Sequence, residues 1–169
     1  MNFCAIDWNE LIKILTPFVI AFCVYQIWHN QKGKEVIANA AKECILDIFS
    51  LMTSNVLIQL STTRNDKDFE EVLLDFKKVN VKNIKELSFI MSSIDNEELK
   101  KAQEKHTENC GKVMKFIRAY NTFTDKNQPI EAYLSSKDFS DFQQSSKDLI
   151  DCLKPYAIYS TKFKFRKIT

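Results

Sequence analysis

Apolar residues run almost unbroken from Ile14 to Trp28, whereas later segments interleave apolar and polar positions at helical spacing. Between Leu11 and Trp28 the one charge is Lys13. Eighteen helical residues rise roughly 27 Å, close to the hydrocarbon thickness of a bilayer. Trp8 precedes the run, and Tyr25 and Trp28 close it; such rings favour the headgroup boundary. Lys13 lies near one end, where its stem can snorkel outward. Pro17 is expected to kink the helix, which membrane spans tolerate better than soluble helices. The pattern predicts a single transmembrane helix marked by Leu11, Pro17, Phe18, Phe22, Tyr25 and Trp28.

Three other readings compete. A signal peptide needs a basic start and small residues at a cleavage site, but Asp7 and Glu10 precede the run and no such site follows. A lipoprotein needs a small residue before Cys23, where Phe22 stands. A helix buried at the centre of a bundle is the third reading; the aromatic ends and the length favour the span over it. His29, Lys32, Lys34 and Lys42 follow the run, so the positive-inside bias places residues 29–169 in the cytoplasm and the short N-terminus outside, at the inner (plasma) membrane.

Gly33 is expected to separate the span from a second helix. There, apolar residues recur mostly every four positions at Ile37, Ala41, Cys44, Ile48, Met52, Val56 and Leu60, supported by Ile45, Phe49 and Leu57. A second inserted segment over Cys44–Leu60 is the rival reading; Ser50, Thr53, Ser54, Asn55 and Gln59 favour a bundle helix. After a turn at 61–65, Asp68 with Glu71 reads as a helix start, and a short helix is expected to end near Asn80. Val81, Ile84, Leu87, Met91 and Ile94 mark the next segment. Asp95 with Glu98 opens a further helix whose inner face carries Leu99, Ala102, His106, Cys110, Val113, Ile117 and Tyr120. Residues 124–128 read as a loop, and Pro129 suits the first turn of a short helix. A last helix from Lys137 to Lys154 turns Phe139, Phe142, Leu149, Ile150 and Leu153 inward and is expected to stop at Pro155. The fold class is therefore all-α: an anchor over residues 1–32, a bundle of four to five helices over 33–155, and a tail over 156–169.

Composition agrees with long helices. The 169 residues include two glycines and three prolines, too few to turn the strands of a sheet. A net charge of +2 is too small for a dedicated nucleic-acid binder. The five cysteines form no CxxC pair and cannot all close into disulfides, as expected of thiols in a reducing compartment.

Candidate chemistry is sparse. His106 and Cys110 share a helix face and suit two ligands of one zinc ion, with further ligands required from Cys44, Cys152 or a carboxylate. They also suit a Cys–His nucleophile pair, without an evident orienting group. Packing in an apolar seam is the simpler reading of both. Glu70–Glu71 and Glu97–Glu98 read as first-turn charges that complement the helix dipole rather than as an acid–base pair. No glycine-rich phosphate loop exists, and no cofactor is expected.

In the tail, Lys162, Lys164, Arg166 and Lys167 alternate with Phe163 and Phe165, and no acid follows Asp151. Contact with anionic lipid suits this pattern, single-stranded nucleic acid suits it less, and a frayed or packed end is the plainest reading. The function expected is non-catalytic: partner binding or self-association through the bundle helices at the inner membrane face. The alternative is a membrane-perturbing effector, a small toxin or defence protein acting through its apolar helices.

Overall fold

A computed structural model describes residues 8–60, 66–120, 131–133 and 135–160 of the chain. It is all-α, with one long apolar N-terminal helix followed by a helical bundle. Helix α1 covers Trp8–Leu60, α2 Asp66–Ser93, α3 Glu97–Tyr120 and α4 Lys137–Ala157. A helical turn at 131–133 precedes α4. The chain divides into two compact units, Met1–Val36 and Ile37–Thr169.

Five expected boundaries are corrected. Gly33 does not interrupt α1. One glycine costs a helix only about 1 kcal/mol, and the good helix formers around it include the pair Lys32–Glu35, 2.9 Å apart. Nor does a helix end near Asn80: α2 runs on to Ser93, because Asn80 and Asn83 lie on its buried face. It begins at Asp66, which puts Asp68 and Glu71 inside the helix rather than ahead of it.

The cap of α3 is Asn96 rather than Asp95. Its Oδ1 accepts the backbone N–H groups of Glu98 and Leu99 at 2.9 and 3.0 Å, satisfying two amides that have no partner within the helix. Helix α4 passes through Pro155 and ends in a turn in which Ser160 N–H donates to Pro155 O and Tyr159 N–H to Tyr156 O. This is the Schellman arrangement, with Tyr159 at φ 58° in the left-handed place that glycine usually takes. The expected turn at 61–65, the loop at 124–128 and the tail residues Lys162 to Lys167 lie outside the described residues.

The bundle is organised by a seam that alternates steps of three and four. In α1 it reads Ile37, Ala41, Cys44, Ile48, Leu51, Asn55 and Ile58, all buried. The stripe expected every four residues agrees with it as far as Ile48. Each step of four then over-rotates the helix by about 40°, so Val56 emerges exposed while Leu51 and Ile58 are buried instead. Helix α2 repeats the rhythm from Phe69 through Leu73, Phe76, Asn80, Asn83, Leu87 and Ile90 to Ile94. In α4 it passes through Phe142, Ser146, Leu149, Leu153 and Tyr156. A seven-residue apolar period of this kind keeps one seam facing its neighbours along antiparallel bundle helices.

The seam closes over two apolar clusters. At one end Ile37–Ile48 of α1 meets Leu87–Ile94 of α2, Leu99 of α3 and Leu149–Ala157 of α4. At the other, Leu51 and Ile58 meet Phe69–Phe76, Cys110–Tyr120, Tyr133 and Phe142. Since the start of one helix meets the end of the next, the connectivity is up-down-up-down. The second cluster is aromatic: Phe116 stacks on Tyr133 at 4.4 Å, and Phe69 meets Tyr120 edge-on at 4.5 Å.

Gly111 lies within α3, and a Cβ built on it meets no atom within 4 Å. Gly111→Ala is expected to raise the stability of the detergent-solubilised chain by about 0.5–1 kcal/mol. Urea unfolding monitored by helical circular dichroism measures it; a loss of stability would show that this face of α3 is covered.

Candidate functional site

In the N-terminal unit the apolar run is exposed on every side. Leu11, Phe18, Phe22, Tyr25 and Trp28 are 38–69% exposed, and Pro17 is exposed and helical. Not one residue of the most apolar eighteen-residue window is buried, and its mean hydropathy is 1.8. The helix is long and apolar enough to cross a membrane by length and composition. Thr16 Oγ donates to Ile12 O at 2.6 Å, folding the hydroxyl onto the helix. Pro17 supplies no amide proton, so the Lys13 carbonyl lacks its usual intrahelical donor. Tyr25 and His29 stack at 5.9 Å, so the closing aromatic is braced from the next turn.

Between the two core clusters the bundle carries a polar waist: Asn80, Asn83, His106, Asn109, Ser145 and Ser146 are all buried. The hydrogen bonds at His106 run in one direction. Ser146 Oγ donates to Phe142 O at 2.8 Å, which leaves the same oxygen free to accept from His106 Nδ1–H at 3.3 Å. His106 Nε2 then accepts from the Cys110 thiol at 3.4 Å. The imidazole is thereby held neutral, with its proton on Nδ1. Burial lowers its pKa to about 4, and burial pushes the Cys110 thiol up to about 12. A nucleophilic pair needs a thiolate beside an imidazolium, whereas burial here favours a neutral thiol and a neutral imidazole. Among the described residues no group of three or more His, Cys, Asp or Glu is placed to hold a metal ion.

Asn109 completes the link between α3 and α4. Its Nδ2 donates to Asp141 O at 3.1 Å and to Ser145 Oγ at 3.0 Å. On the α1–α2 side, Asn83 Nδ2 reaches Cys44 O and Sγ, both at 3.3 Å. The Cys44 thiol is pushed up to about 12, first by burial and then by Glu86. Sequence reasoning placed Cys44 and His106 inward but did not identify Asn83, Asn109, Ser145 or Ser146. Their positions in the three-four rhythm were the available signal.

Lys82 lies among three carboxylates: Asp47 at 2.9 Å, Glu43 at 3.4 Å and Glu86 at 3.5 Å. Its pKa is raised, first by the hydrogen bond to Asp47. Asp47 Oδ2 and Glu86 Oε2 are buried without a hydrogen-bond partner. Burial, then the Asp47 charge, raises the Glu86 pKa. Elsewhere, a groove of about 530 Å³ is lined by Asn96, Glu98, Asp148, Asp151, Cys152 and Tyr156. Burial first, then these three acids, raises the Cys152 pKa, which favours the protonated thiol.

His106 gives the bundle an acid limb. Its folded pKa lies below the ordinary value of 6.5, so its contribution is full above pH 6.5 and is lost as pH falls towards 4. The loss is roughly 3 kcal/mol. Urea unfolding of wild type and His106→Gln across that range measures it: the difference in slope isolates the imidazole, because Glu86 contributes equally to both. Parallel slopes would show that His106 takes up a proton without unfolding.

No protein-family model matches the chain, and neither a curated protein nor a solved structure matches it.

Proposed function

We propose that the protein is a non-catalytic, membrane-anchored helical protein that acts by binding a partner or by self-association at the inner membrane face. The observation that carries this reading is the apolar run Leu11–Trp28, in which the most apolar eighteen-residue window has no buried residue. In water such a surface would drive aggregation. In a bilayer it is matched to the hydrocarbon, with Trp28 and Tyr25 at its rim. The basic residues after the run support a cytoplasmic bundle, and the buried, protonated thiols of Cys44 and Cys110 are compatible with that compartment. A tail contacting anionic lipid through Lys162–Lys167 would stand on the same side.

The competing inserted segment, Cys44–Leu60, finds less support. Cys44, Ile48, Leu51 and Ile58 already face protein in the bundle. The reading of bundle helices as partner-binding elements draws on the exposed apolar residues Leu46, Phe49, Leu74, Val81 and Phe89.

The test is fractionation with thiol labelling. The full chain is expected to stay in the membrane pellet after carbonate extraction, and Phe18→Lys with Phe22→Lys to shift it towards the supernatant. A membrane-impermeant maleimide is expected to label Cys4 in intact cells, with no labelling in Cys4→Ser until lysis. A wild-type chain found in the supernatant would overturn the anchor, and labelling of Cys152 in intact cells would invert the orientation.

A further inference from the structure

The groove of about 530 Å³ lies close to where the described chain ends. Its most buried lining is apolar, with Leu99 at the start of α3 and Tyr156 near the end of α4. Asn96 Nδ2 donates to Tyr156 Oη at 2.7 Å, which fixes the start of α3 to the end of α4 beside the groove. Its more exposed lining is acidic, with Glu98, Asp148 and Asp151, and none of the described lining residues is basic. Lys105 reaches Asp148 at 3.3 Å and Lys154 reaches Asp151 at 2.7 Å. Both pairs are solvent-exposed, where such contacts are weak. All three acids raise the pKa of Cys152 in the groove wall, as a net negative surrounding does.

The chain leaves α4 at this place. Ser160 N–H donates to Pro155 O at 3.0 Å, so Ser160 stands about one turn from two lining residues, Pro155 and Tyr156. Residues 161–169 follow, with Lys162, Lys164, Arg166 and Lys167 and no acid. The first two of these bases come two and four residues beyond Ser160, a reach of about 7 and 14 Å for extended chain. Extended chain also alternates its sides, which sets Phe163 and Phe165 on one and Lys162, Lys164 and Arg166 on the other.

We propose that the C-terminal segment 161–169 of this same chain seats in the groove, its phenylalanines against Leu99, Pro155 and Tyr156 and its bases against Glu98, Asp148 and Asp151. The groove matches both halves of the segment: an apolar floor for the rings and a negative rim for the cations. An anionic bilayer matches them too, but the segment begins beside the groove, and so short a tether gives the groove a high effective concentration. Seated there, the segment closes the groove over Cys152 and withholds its four bases from other anionic surfaces. The seat is built from α3 and α4 alone, so the proposal stands whether or not α1 is an anchor.

The test places p-benzoylphenylalanine at position 163 of the full chain, a change that keeps an aromatic ring and every charge. After illumination the adducts are mapped by mass spectrometry, in uncharged detergent, in phosphatidylcholine vesicles and in vesicles that also contain phosphatidylserine. Adducts at Leu99 or within 152–156 of the same chain are expected in all three. Changing Lys162, Lys164, Arg166 and Lys167 together to Gln is expected to lower their yield by about fivefold, and these positions lie outside the helices. Asp148→Lys with Asp151→Lys is expected to do the same, with helical circular dichroism unchanged. Adducts on phosphatidylserine in place of the groove would give the segment to the bilayer and overturn the proposal. Adducts to a second chain, or scattered over other helices, would also overturn it, as would a groove yield that the neutral tail leaves unchanged.

Discussion

Burial of one side chain in every three or four, kept in phase over three helical turns and more, is the constraint on which the bundle depends. A helix presents a new residue every 100°, so only a seam of alternating threes and fours stays against its neighbours. Ile37 to Ile58, Phe69 to Ile94 and Phe142 to Tyr156 each keep that phase. The two apolar clusters follow from it, because each helix then offers both ends of its seam to the other three. Burial on this scale drives collapse without selecting which helix lies beside which.

Selection comes from the waist. His106 and Asn109 of α3 find their partners on α4, at Ser146, Ser145 and the Asp141 carbonyl. Asn83 of α2 finds its own on α1, at Cys44. A slip of one turn would leave these groups buried without hydrogen bonds, each at a cost of about 1–3 kcal/mol. The polar layer thus opposes sliding, as a polar seam residue does in a coiled coil. The directed sequence from thiol to imidazole to hydroxyl to carbonyl satisfies every member with neutral groups, so no charge is desolvated at the centre.

The helical class, the apolar N-terminal run and most of the core were legible in the sequence because they rest on composition and periodicity. The boundaries were less legible, and the residues involved show why. Gly33 and Asn80 are weak helix formers, yet their local preference is small beside the neighbouring packing and pairing. Pro155 was read as a stop, but a proline breaks a helix only at the carbonyl four residues before it, and α4 continues for two residues more. Asn55, Asn80, Asn83 and Asn109 hid the seam, since a polar residue in an apolar rhythm looks like an interruption until its partner on another helix is known. The candidate chemistry at His106 and Cys110 was visible as a spacing. Its electrostatic character was not, because burial and Ser146 set it from outside their own helix.

The position of α4 at the far end of the chain has a consequence in time. Synthesis proceeds at about 5–20 residues per second, so the helices emerge in order and α4 follows the other three by several seconds. Until Ser145 and Ser146 arrive, His106 Nδ1 and Asn109 Nδ2 lack their α4 partners, and the cluster that takes in Leu149, Leu153 and Tyr156 stands open along one side. The apolar segment of α1 leaves the ribosome long before that closure. The nascent chain therefore passes through an interval in which its most apolar helix is complete and its bundle is not, an interval in which a chaperone or an insertion factor would meet two exposed surfaces on one chain.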